Sequence, residues 1–261
     1  MMRSLYTAST GMYAQQLNVD TLAHNIANVN TTGYKRQRVE FQDLFYQTIK
    51  RPIVSDELIE PVGVSVGMGV KPAAIEIMLS QGNLQPTGNP LDVAITGGNA
   101  YFRVYGPGDQ ELYTRDGSFK IDAEGNLVTS SGNLVAGVDV LEPGAYDIAV
   151  EKDGRVTYKV SGSDEIQEAG QLELVTFMNP SGLEKLGGNL FRATDTAGEA
   201  VDWDPEEDST ISIESGYLES SNVQIVEEMV NLITAQRAYE INSKVIQSVD
   251  EMLQTTTNLR R

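Results

Sequence analysis

Apolar residues recur at alternating steps of three and four over the first thirty positions, and this period limits what the chain can fold into more than any other feature. Leu5, Ala8, Met12, Gln15, Val19, Leu22, Ile26 and Val29 trace an a/d heptad seam with one polar member, Gln15. The spacing predicts a single coiled-coil helix, roughly 38 Å long from Leu5 to Val29. Asn28, Asn30 and Thr31-Thr32-Gly33 mark its stop, with Gly33 able to adopt the left-handed conformation that ends a helix.

The far end repeats the device. Ser221 followed by Gln224 has the form of a capping box, and Glu227 and Glu228 sit where carboxylates favour a helix start. A seam runs Val223, Val226, Val230, Ile233 and resumes one residue out of phase as Ala238, Ile241, Val245, Ser248, Met252, Thr255, Leu259. No proline or glycine follows Gly216. The expectation is one long helix, fraying near Thr255-Thr256-Thr257.

Between the helices the texture changes to short β-branched runs broken by Asp116-Gly117, Glu124-Gly125, Ser131-Gly132 and Asp153-Gly154. Strands are expected over 100–105, 112–115, 118–121, 126–129, 134–138, 155–160, 172–178, 190–193 and 211–217, a spacing that points to an antiparallel β domain. Residues 50–69, with prolines at 52 and 61, form an extended connector whose Val62, Val64 and Val66 line one strand face and whose Gly63, Gly67 and Gly69 permit hinge-like bends. The fold class is therefore α+β: terminal helices forming a coiled-coil core domain, a connector, and a mainly antiparallel β middle domain. The boundaries are 1–33 for the N-terminal helix, 34–70 for the connector with its extended hairpin, 71–217 for the β domain and 218–261 for the C-terminal helix.

Charge follows the same division. The formal total of −18 separates into +2 over residues 1–50, −19 over 51–220 and −1 over 221–261. An acidic chain lacks the basic face that nucleic acid or anionic lipid requires, and the nearly neutral ends can approach one another without strong repulsion. There is no cysteine, which excludes disulfides, thiolate metal sites and cysteine nucleophiles. The start lacks the apolar core of a cleaved secretory signal, and no run of ~18 apolar residues spans a bilayer.

No catalytic constellation emerges. His24 is the sole histidine, lies off the helix seam with only Asp20 near it, and reads as an exposed or interface polar residue. One histidine without cysteine is a poor start for a zinc site. Asp202, Asp204, Glu206, Glu207 and Asp208 have calcium-type ligands but no EF-hand spacing, and Pro205 interrupts them, so a solvated loop is expected. Gly63, Gly67, Gly69 and Lys71 lack the ending of a phosphate loop. Lys35-Arg36-x-Arg38, flanked by Tyr34 and Phe41, is too small for a nucleic-acid surface. Among 37 carboxylates no hydrolytic pair stands out. Neither a cofactor nor a small-molecule substrate is expected. What the helices do ask for is neighbours: Leu17, Leu232, Ile246 and Val249 lie off the seams, which predicts helices that are labile in a dilute monomer and order when many copies pack side by side. A fragment from Lys71 to Gly216 is expected to stay folded and monomeric.

The segment His24-Asn25-Ile26-Ala27-Asn28-Val29-Asn30-Thr31-Thr32-Gly33-Tyr34-Lys35-Arg36 resembles the N-terminal signature of bacterial flagellar rod and hook proteins. Ser220-Ser221-Asn222-Val223, Glu227-Glu228-Met229-Val230, Ala235-Gln236-Arg237-Ala238-Tyr239-Glu240 and Asn242-Ser243-Lys244 resemble the matching C-terminal signature. Gln81-Gly82-Asn83-Leu84, Asp92-Val93-Ala94-Ile95 and Tyr113 to Phe119 also fit. His24 and Tyr34 depart from the asparagine and phenylalanine usual there. The length and the connector direct the resemblance to the distal-rod branch, with a proximal rod or short hook-type subunit as the alternative. The resemblance implies a non-enzymatic helical homo-oligomer with the terminal helices inside and the connector and β domain outside. It would contact proximal rod and hook proteins and a surrounding ring bushing, and span the periplasm after type III export as an unfolded chain. It also assigns Asn25, Asn28, Gly33, Tyr34, Lys35, Gln236, Arg237 and Tyr239 to the family motif.

Overall fold

The computed structural model describes residues 2–55, 58–60, 62–160, 166–205 and 210–258. The chain divides into two compact units. One holds residues 1–27, 37–77 and 224–261; the other holds 28–36 and 78–223. Both divisions differ from the expected boundaries. Residues 28–33, expected with the N-terminal helix, and 34–36, expected in the connector, fall in the β unit, and residues 71–77, expected to open the β domain, belong to the return strand of the hairpin.

In the first unit, α1 (Met2–Ala27) and α2 (Ile225–Asn258) pack together. Gly11 lies against Asn242 and Asn25 bonds Glu228, so fourteen residues forward on α1 match fourteen back on α2 and the helices run antiparallel. The first helix ends at Ala27, short of Val29. Its chain is turned by Thr31 N–H donating to the Asn28 carbonyl, well before Gly33, whose φ of +68° serves a later bend. The second begins at Ile225, with Glu228 N–H donating to the Gln224 carbonyl. Ser221 is no helix cap, because its hydroxyl accepts from Val223 N–H ahead of the helix. The threonines at 255–257 stay helical through Asn258, each hydroxyl donating to the carbonyl four residues back.

Residues 37–77 form a long two-stranded antiparallel ladder. Gln37–Asp43 pairs with Val70–Ile77, Tyr46–Lys50 with Val64–Gly67, and Ile53–Ser55 with Leu58–Glu60. Two strands alone are marginal in water, and the base of this ladder is secured by burying Val39 and Ile77 next to α1. The three connector glycines differ in backbone conformation and surroundings. Only Gly69 has positive φ, at +121°, and there a side chain would collide with the Thr10 hydroxyl. Gly63 instead allows close approach to the Lys50 carbonyl, while at Gly67 a side chain would make only ordinary contact with the Tyr46 ring. Val62 and Val64 are exposed.

The second unit is built on the strand Ala100–Gly106, which pairs with Gln110–Thr114, Leu134–Val135 and Leu174–Thr176. Its alternating side chains feed two cores. Phe102 and Val104 pack with Phe119, Leu172, Leu174 and Ile213; Tyr101 packs with Tyr113, Val175 and Phe177. A separate three-stranded sheet runs Ala145–Val150, Arg155–Val160, Ile166–Gln171. Every pairing among the described strands is antiparallel. Gly117 is not a positive-φ turn residue; it is small because its Cα faces the Val93 carbonyl, where a Cβ would sit 1.7 Å away.

Candidate assembly surface and buried ionic cluster

The buried face of α2 is not its apolar seam. Glu228, Ala235 and Val249 are buried, with Leu232, Ala238, Asn242, Ile246 and Leu253 partly covered. Small and polar side chains allow α1 to come close, as Gly11 does at Asn242. Val226, Val230, Ile233, Ile241, Val245 and Met252, expected to form the seam, are instead exposed, at 76%, 55%, 48%, 61%, 38% and 49%. Met229 joins them. Val223 is buried, but outside the helix in the β unit. On α1 the seam is covered: Ala8 and Leu22 are buried, Leu5, Met12, Val19 and Ile26 half-buried, and Val29 lies in the turn beyond the helix. The outcome is an antiparallel helix pair whose α2 side sets Glu228 and Asn242 among Leu232, Ala235, Ile246 and Val249 toward α1, and leaves two runs of aliphatic residues, Val226 to Ile233 and Ile241 to Met252, facing outward.

The motif residues separate into two groups. Gln236, Arg237 and Tyr239 are exposed, Gln236 and Tyr239 lining a surface groove with Gln16, Val19 and Glu240. The N-terminal members turn inward. Asn25 is fully buried; its amide N–H donates to the Gln37 carbonyl at 2.8 Å and to Glu228 Oε2 at 3.0 Å. Asn28 Oδ1 accepts from the Thr31 hydroxyl. Tyr34 is half-buried and His24 exposed.

Lys35 belongs to no surface basic patch. Its ammonium donates to Glu219 Oε1 at 2.6 Å and to the Ser80 carbonyl at 3.1 Å. Arg115 Nε donates to the other oxygen of Glu219 at 2.7 Å, and its Nη1 donates to the Gly98 and Ala100 carbonyls. Gly82 N–H donates to Glu219 Oε1 at 2.8 Å, and Gly33 N–H to the Glu219 carbonyl at 2.8 Å. The three side chains are 5%, 3% and 2% exposed. Burial pushes the Glu219 carboxyl up, but the Arg115 and Lys35 charges and their hydrogen bonds outweigh it and hold the carboxyl below its usual range. Burial pulls Lys35 down; Glu219 opposes this and Arg115 adds to it. Sequence reasoning quoted Arg115 only within a motif and missed Glu219. The signal was an acidic residue at an inward position of the strand Tyr217–Glu219.

The acidic loop contributes Asp202 and Asp204 at the surface, while residues 206–208 lie outside the described residues. Among the described residues no cluster of three or more His, Asp or Glu side chains could hold a metal ion, and no helix is long and apolar enough to cross a membrane.

Three family descriptions match stretches of the chain: "Flagella basal body rod protein" over residues 5–35, "Flagellar hook protein FlgE/F/G D1 domain" over 94–158 and "Flagellar basal body rod FlgEFG protein C-terminal" over 214–259. The chain is 46% identical to a flagellar basal-body rod protein FlgG of Borreliella burgdorferi, covering all of both chains. The chain belongs to the flagellar basal-body rod protein family. The FlgG proteins of Caulobacter vibrioides (46% identical, 99% of this chain and 100% of that one) and Agrobacterium fabrum (45%, 96% and 97%) are similar over the same span. Lys35, Arg115 and Glu219 fall one in each matched stretch, so the ionic cluster draws on all three parts of this rod-protein chain.

Proposed function

We propose that the chain is a structural subunit of the distal rod of the bacterial flagellar basal body, self-assembling into a helical tube that passes motor torque to the hook. The observation that carries this reading is the aliphatic stripe on α2, from Val226 to Met252. A helix that packs one face onto α1 and leaves a second, aliphatic face in water gains further stability from neighbours that cover it. In the assembled rod, α1 and α2 of successive copies wind as a coiled-coil inner core with the hairpin and acidic β unit outside. Gln236, Arg237 and Tyr239 lie at contacts between copies. The role requires no catalysis or cofactor. The neighbours on this reading are proximal rod and hook proteins, with a ring bushing around the tube. The subunit reaches the periplasm through the flagellar type III export apparatus as an unfolded chain.

The test is assembly against concentration, followed by sedimentation and electron microscopy of the purified full chain. Filaments should form and helicity rise together for the native chain, and both should fail for Val226→Asp/Ile241→Asp, with loss of swimming in a complementation assay. Filament growth and motility by that variant would sink the proposal.

A further inference from the structure

Glu219 accepts from three chain segments at once, and each is remote in sequence. Lys35 lies 184 residues before it, Gly82 137 and Arg115 104. Its own carbonyl adds the Gly33 contact, and Gly82 can reach it only because a side chain there would run into the Ser220 carbonyl. Around this point the segment 32–36 is laid on the β unit. Asn189 Nδ2 donates to the Thr32 carbonyl, Arg36 N–H donates to Asn222 Oδ1, and Met78 N–H donates to the Arg36 carbonyl. The cluster holds two cations and one carboxylate, all nearly inaccessible to water. Removing Lys35 leaves Arg115 and Glu219 as a balanced pair. Removing Glu219 leaves two like charges buried together with no counter-charge, which the interior tolerates poorly.

We infer that Glu219 is an ionic clasp that locks residues 32–36 onto the β unit, with Lys35 as the releasable arm and Arg115 as the fixed one. Opening the clasp frees the segment without dissolving the β core, because Arg115 retains its carbonyl partners on the strand Ala100–Gly106 and the preceding turn. The clasp is a property of the single chain and does not depend on how copies assemble.

Hydrogen exchange of the full chain, resolved by peptide mass spectrometry, tests it at concentrations below assembly. Lys35→Met should speed exchange at residues 33–36 about tenfold while leaving residues 100–106 unchanged. Glu219→Gln should speed it by about a hundredfold or more. The decisive variant combines the two. With Glu219→Gln already present, Lys35→Met should slow exchange, since it takes away one of two uncompensated cations. A merely additive increase in the double variant, or unchanged exchange at residues 33–36 in both single variants, overturns the clasp. If Glu219→Gln alone does not fold, a folded double variant supports it and failure of both overturns it.

Discussion

Asn25 and Gln37 bond to each other in both directions, Gln37 N–H donating to Asn25 Oδ1 at 3.0 Å and Asn25 Nδ2 returning to the Gln37 carbonyl at 2.8 Å. The side-chain amide thereby stands in for a strand neighbour at the start of the ladder. Its second N–H satisfies Glu228 on α2. One buried amide thus joins α1, α2 and the hairpin, and a carboxylate in its place has no proton to offer. Asn25→Asp should cost about 3 kcal/mol or more, by placing an acid against buried Glu228 and losing both donated bonds. Thermal melts of the monomer would show it, with Asn25→Ala less damaging than Asn25→Asp.

Stability should fall with acid through Glu219. Its carboxyl is held below the usual range in the fold, so it contributes stability that is fully present above the unfolded value, about 4.3, and is lost as pH drops through the folded value. Denaturant midpoints read by the fluorescence of Trp203, which packs on the larger core, should be flat near neutrality and decline below about pH 4. The pH slope attributable to this carboxyl should vanish in Lys35→Met/Glu219→Gln.

The two faces of α2 should separate cleanly. Ala235→Leu overfills the approach to α1 and should destabilise the monomer by about 1–3 kcal/mol. Ile233→Ser, on the exposed stripe, should change monomer stability by less than about 0.5 kcal/mol yet raise the concentration needed for assembly. Chemical denaturation and sedimentation distinguish them.

Gly33→Ala should cost more than the ~1–2 kcal/mol of a left-handed alanine, because the new Cβ would also lie 2.8 Å from the Arg115 carbonyl. The expected result is a melting temperature lower by several degrees, with exchange at residues 33–36 most affected.

The fragment from Lys71 to Gly216 should be far less stable than its β texture suggests. It lacks both Lys35 and Glu219, leaving Arg115 buried without its carboxylate. Adding residues 28–36 and 217–223 should recover a cooperative unfolding transition.

The two terminal helices and the strands around 100–106, 110–114 and 155–160 were legible because periodicity and glycine turns are local signals. The face of α2 that is buried was not. A stripe such as Val226, Val230, Ile233 announces that something covers it, but says nothing of whether that is α1 or another copy. The inner face interrupts Leu232, Ile246 and Val249 with Glu228, Ala235 and Asn242, so its apolar signature is weaker than that of the exposed seam. The strand Ile166–Gln171 was hidden by its polar, glycine-bearing sequence, IQEAGQ. The Lys35–Glu219 pair was invisible for a different reason: basic Lys35-Arg36-x-Arg38 looks like a surface patch, and its partner lies 184 residues away.

That separation also sets a clock. A chain emerging from its N-terminus presents Lys35 early and Glu219 only when most of its length has followed, so the clasp cannot close on a partial chain. Until then residues 32–36 have no carboxylate to receive them. Fixation of residues 32–36 thus waits on the arrival of Glu219.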